Sequence, residues 1–162
     1  MERLWSPWRM AYIEAAQGGE PEGCVFCDLL EGKDPSERRI LYRGDLAWVT
    51  LAKYPYNPGH LLVLPVRHTG DLEDLTGEEN AALSMLLQRS VRALRDQAQP
   101  HGFNVGLNLG RIAGAGIPAH LHWHVVPRWS GDTNFMPVVG QTRVLPELLE
   151  ETFEKLAPRF HE

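Results

Sequence analysis

The stretch His120-Leu121-His122-Trp123-His124-Val125-Val126-Pro127 decides how this chain is read. Three of its seven histidines fall within five residues. An extended strand sends alternate side chains to opposite faces. His120, His122 and His124 therefore share one face. Leu121, Trp123 and Val125 share the other, where a core can take them. Imidazole, with a reference pKa of about 6.5, works as nucleophile, acid, base or metal ligand near neutral pH. Three readings fit such a face: a solvated or structural histidine cluster, a three-histidine metal site, and a covalent nucleophile toward phosphorus oriented by its neighbours. Cupin-like metal patterns want a Glu shortly after the histidine pair, and here no acidic residue follows until Asp132.

Outward from this strand, residues 38–52 read as two short strands turning at Gly44-Asp45. Pro55 and Pro58-Gly59 make a rigid loop, and His60 to Val66 is a third strand. Thr76 and Glu79 have capping-box spacing. The helix they open runs to about Ala98, with Leu83, Leu86, Leu87, Val91 and Leu94 on one face, and Pro100 ends it. Phe103 to Leu109 alternates like a strand, Gly110 to Pro118 is a Gly-rich loop, and Leu121 to Val126 is the last strand. Residues 146–157 predict a short C-terminal helix, with Pro146 in its first turn. The sum is an α+β fold: an antiparallel sheet of about five strands, one long helix and a short C-terminal helix. Residues 1–22, with Trp5 and Trp8, read as an N-terminal arm, 23–135 as the main domain, and 136–162 as an extension carrying the short helix.

The 162 residues are 43% hydrophobic and 23% charged, enough for one packed core. Lys and Arg number 16 against 21 Asp and Glu, a net charge of −5. That balance argues against a nucleic-acid polymer as partner. No apolar run reaches the ~20 residues of a membrane span. Residues 1–10 lack the apolar stretch of an export signal, so a cytoplasmic, reducing setting is expected. The two cysteines, Cys24 and Cys27, form a CxxC, which there reads as reduced thiols or half a metal site.

The pattern at 120–126 and the stretch Asn57-Pro58-Gly59-His60-Leu61-Leu62-Val63-Leu64-Pro65 together resemble the histidine-triad (HIT) nucleotide hydrolases and transferases. The order of CxxC, strands, long helix, Asn-x-Gly loop and triad matches as well. The Pro127-Arg128-Trp129 and Gly131-Asp132-x-Asn134-Phe135 tail is similar to the dinucleoside polyphosphate-cleaving side of that family, near the fragile-histidine-triad and phosphorylase branches. The resemblance implies that His122 attacks an α-phosphorus and forms a nucleotidyl-histidine, which water or phosphate then resolves. It implies that His124 bonds the phosphate or the leaving oxygen and that His60 supports the pocket. It also implies a Cys24, Cys27, His68 and His120 set holding structural zinc, which the chemical step does not need.

Asn108 and the loop amides of Gly110, Gly114 and Gly116 are candidate phosphate donors. Arg111 and Arg128 are local cations for a polyphosphate, and Trp129 is either a face for a base or core filling. Expected substrates are dinucleoside polyphosphates such as diadenosine tetraphosphate, or nucleoside phosphate conjugates. Relatives carry polar side chains beside the triad where this chain has Ala113 to Pro118, which favours water over phosphate as acceptor. A phosphorylase and a non-catalytic nucleotide-binding module are the alternatives. A homodimer is expected, with Phe135, Met136, Val138 and Val139 as an apolar contact surface.

Overall fold

In the computed structural model, residues 23–33, 39–132 and 147–161 are described. Apolar alternation on both sides of Gly44-Asp45 folds back on itself. Strand β1 (Ile40–Arg43) pairs antiparallel with β2 (Ala47–Leu51), and β2 pairs with β3 (Leu61–Pro65). All five residues of β2 and of β3 are buried. A strand that reads as an unbroken apolar run needs cover on both faces. One face carries Val49, Leu51, Leu61, Val63 and Val125 under the long helix α2 (Gly77–Ala98). The other carries Trp48, Leu62 and Leu64 under Phe26 and Leu29 of a short helix, α1 (Val25–Leu30).

The sheet is completed by β4 (Gly102–Leu107) and β5 (Trp123–Arg128), in the order β1-β2-β3-β5-β4, all neighbours antiparallel. This is the five-stranded α+β architecture that the sequence predicts. Among the described residues no helix is long and apolar enough to cross a membrane.

Helix α2 begins where the capping box places it. Thr76 Oγ1 accepts from the Glu79 backbone, and Glu79 accepts from the Thr76 backbone. Glu79 also takes Arg67 in a two-point ion pair, 2.8 Å at each oxygen. Arg67, with Thr76 backing it, holds the Glu79 carboxyl down at about 2, against an ordinary value of 4.5. A carboxyl depressed on folding stabilises above its unfolded pKa, and that stability is lost as pH falls through the folded value. The Glu79→Gln variant is therefore expected to melt below the wild type at pH 7. The gap should close between about pH 4.5 and pH 2. Thermal melts across that range check this; a gap independent of pH would show that the ion pair contributes nothing. At the other end, Gln99 takes a left-handed conformation (φ 44°) ahead of Pro100 and closes the helix.

Several elements depart from the sequence reading; β4, for one, ends at Leu107 where the alternation predicts a strand to Leu109. Strand β5 is hydrogen-bonded from Trp123 to Arg128, two residues later than expected, because Leu121 bonds to the Thr69 carbonyl outside the ladder. The alternation persists regardless: Leu121 and Val125 enter the core, with Trp123 packed against it. The C-terminal helix, α3, spans Leu149–Leu156 and tightens into a 3₁₀ turn, Ala157–Phe160, so it is shorter than 146–157. Helix α1 has no counterpart in the sequence reading, since six residues without a side-chain cap carry too little periodicity. The N-terminal arm, Asn134, the apolar residues 135–139 and Pro146 lie outside the described residues.

Candidate active site and metal centre

His122 lies on the face opposite α2, buried, with its ring 5.2 Å from that of Phe26. Its Nδ1 is 2.8 Å from the backbone carbonyl of His120. A carbonyl only accepts, so Nδ1 carries the proton and Nε2 keeps its lone pair. Burial lowers the His122 pKa from the usual imidazole value, which favours this neutral form.

The neighbouring ring is set by a relay. The Tyr56 backbone N–H donates to His60 Nδ1 at 3.0 Å. Neutral His60 must then hold its proton on Nε2, and it donates to His124 Nδ1 at 2.9 Å. His124 in turn carries its proton on Nε2, so the two triad rings differ in role. One offers a lone pair and the other a donor, with ring centroids 5.2 Å apart. Tyr56 stacks over both His60 and His124, at 4.8 and 5.8 Å. Its loop is anchored by Asn57, whose buried amide donates to the Pro127 carbonyl and to Asp132.

His120 lies on the same side, its ring 5.6 Å from that of Phe26, but its nitrogens meet other partners. Its Nε2 bonds to the Pro65 carbonyl at 3.0 Å, which turns the Nδ1 lone pair toward the CxxC. Ligand atoms of Cys24, Cys27, His68 and His120 all lie within 4.8 Å of one another. The sulfur–nitrogen separations are 3.3 Å (Cys24–His120), 3.5 Å (Cys27–His68) and 3.7 Å (Cys27–His120). Zn–S bonds of about 2.3 Å and Zn–N bonds of about 2.0 Å in a tetrahedron give S···N edges of about 3.5 Å. The four side chains fit a metal ion. Burial pushes the Cys27 thiol up to about 11 and the His120 imidazole down to about 4. The His68 loop reaches the cluster because Gly70 lets the chain pass closely; a Cβ there would stand 2.6 Å from the Pro118 carbonyl oxygen.

The remaining expected site residues divide. Asn108 and Arg128 line the groove onto which His124 opens. The Arg128 guanidinium is held two-point by Asp132 and donates to Asn104, so its charge is already matched. Gly110 and Gly114 shape a tight turn in which the Gly114 amide donates to the Arg111 carbonyl, and Asn108 reaches the Gly114 carbonyl at 3.5 Å. Gly116 follows in the same loop, half-buried. Trp129 is not brought to this groove: it lines a separate cleft with Pro58, Gln97 and Lys155, and its indole donates to the Ala98 carbonyl. Phe26, Tyr56 and Asn104 are the site residues that sequence reading missed. Asn104 could have been found by period-two spacing from Asn108.

A HIT domain family model matches residues 33–131. The chain belongs to the histidine-triad family. A Mycobacterium tuberculosis protein named AP-4-A phosphorylase is 44% identical over 163 residues, covering 97% of this chain and 83% of that protein. An uncharacterized HIT-like protein of Saccharolobus solfataricus is 31% identical over 132 residues, covering 79% and 93%. Among solved structures, a Zn-bound histidine triad family protein from Mycobacterium smegmatis has a TM-score of 0.70 at 33% identity, covering 86% of this chain and 94% of that one.

Proposed function

We propose that this protein is a nucleotidyl-transferring enzyme that cleaves dinucleoside polyphosphates of the diadenosine tetraphosphate kind at an α-phosphorus. The observation that carries this reading is the paired tautomer arrangement: His122 presents a lone pair beside the donor of His124. In the first step His122 Nε2 bonds to the α-phosphorus. The bond to the bridging oxygen breaks, its electron pair leaves with the nucleoside triphosphate, and the His124 donor stabilises that oxygen. In the second step an acceptor oxygen displaces His122.

The name of the 44% identical relative supports inorganic phosphate as that acceptor, with a nucleoside diphosphate as product. It outweighs the preference for water drawn from the apolar residues 113–118. Diadenosine tetraphosphate incubated with labelled phosphate tests this: label is expected in ADP. Unlabelled AMP would restore the hydrolase reading, and nucleotide binding without cleavage would leave a binding module.

Zinc is the proposed metal, supported by the two-sulfur, two-nitrogen donor set and the Zn-bound relative. Held by Cys24, Cys27, His68 and His120, it would supply a closed structural cross-link. The homodimer also belongs to this proposal. It is supported by β4 as an edge strand and by exposed Val105, Leu109 and Ile112 along that side. A cytoplasmic setting belongs to the same proposal, supported by the two free thiols.

A further inference from the structure

We propose that the groove running from His124 along β4 and β5 receives the leaving nucleotide, and that Gly106 keeps it open. The inference rests on the nucleotidyl-transfer reading above and assigns the other half of the substrate to a place. The groove holds about 350 Å³ and is lined by Tyr56, Asn104, Gly106, Asn108, His124 and Arg128 among others. Gly106 stands directly across from His124 in the β4–β5 register, and Asn104 across from Val126. Cross-strand partners share a face, so Asn104, Gly106 and His124 all look onto one floor.

A glycine inside a strand weakens it, and often marks a place where a ligand or another backbone comes close. Among the described residues no backbone comes close: a Cβ on Gly106 would meet none of their atoms within 4 Å, and no positive φ requires a glycine. The missing side chain is therefore open space on the groove floor.

Direction follows from the triad. His122 lies on the far side of His124 from Arg128 along the chain. A phosphorus attacked at His122 with its leaving oxygen at His124 sends the rest of the substrate into the groove. From His124 to Arg128 the strand runs roughly 13 Å, room for a polyphosphate and the start of a nucleoside. The lining suits that ligand: amides at Asn104 and Asn108, and Tyr56 with 40% of its surface exposed as an aromatic face.

The test compares Gly106→Val and Gly106→Ala with wild type on two substrates that share the His122 step. One is diadenosine tetraphosphate; the other is adenosine 5′-phosphorofluoridate, whose leaving group is fluoride. The ratio of kcat/KM, dinucleotide over fluoridate, is expected to fall about tenfold or more for valine, the scale on which pockets sense one or two methyl groups. It should fall less for alanine. An unchanged ratio in a folded valine variant would overturn the subsite. If valine prevents folding, alanine decides by the same ratio. Wild-type protein that cleaves neither substrate would instead overturn the reading on which the subsite rests.

Discussion

His122→Ala is expected to lower kcat by about 10⁴-fold or more while leaving a folded protein, since deleting a nucleophile removes the whole covalent route. The size of the effect follows from how little can replace the ring. His60 donates to His124, and His124 is left as a donor, so neither presents a lone pair in that arrangement. His120 has its carbonyl bound by His122, its Nε2 bound at Pro65 and its Nδ1 turned to the cysteines. Steady-state turnover with diadenosine tetraphosphate, together with a thermal melt, makes the check. His122→Gln, closer in volume, guards against collapse around Phe26. A folded variant that kept more than about a tenth of wild-type kcat would place the bond-forming atom elsewhere.

Removing the metal is expected to have the largest effect on stability. One zinc per chain should be found by elemental analysis of protein purified without chelator. Stripping it, or Cys24→Ala, should lower the melting temperature by about 10 °C. The estimate takes roughly 4 kcal/mol of linkage for a ligand present at a thousand times its Kd, and about 2–4 °C per kcal/mol for a domain of this size. The physical reason is local. Helix α1 has six residues and no side-chain cap, and isolated helices that short do not hold in water. It stays on the sheet through Phe26, Leu29 and the cluster joining Cys24 and Cys27 to His68 and His120. No such cluster preforms in the unfolded chain, so binding energy becomes folding energy. Protein lacking metal whose melting is unmoved by added zinc would make the two thiols ordinary half-buried side chains.

Much of the scaffold is legible in the sequence. The Thr76–Glu79 box and the Leu83, Leu86 and Leu94 face place α2, because local hydrogen bonds and a 3.6-residue period are written in nearby residues. The apolar run from His60 to Val66 reads as a strand, and the structure buries its residues 61–65 on both faces. The triad is equally local: alternation alone separates the three histidines from Leu121 and Val125. What local pattern misses is short or non-local. Helix α1 has no period to detect. The start of β5 depends on Thr69, some fifty residues away, taking the Leu121 amide.

By itself, then, the sequence determined which side chains share a face, since that depends only on the two-residue repeat of a strand. It did not determine what each histidine does. His120, His122 and His124 are chemically identical. The structure gives them different partners: the Pro65 carbonyl and the cysteines meet the first and the Tyr56–His60 relay meets the third, both of which carry the proton on Nε2, while the His120 carbonyl, two residues back, holds the proton of the second on Nδ1. The same holds for Arg128, a cation in sequence whose charge is met by Asp132 in space, and for Trp129, which follows the triad in sequence yet packs beside α2. A ring nitrogen keeps or gives up its proton according to the partner that faces it, and for His120 and His124 that partner arrives from a distant part of the chain.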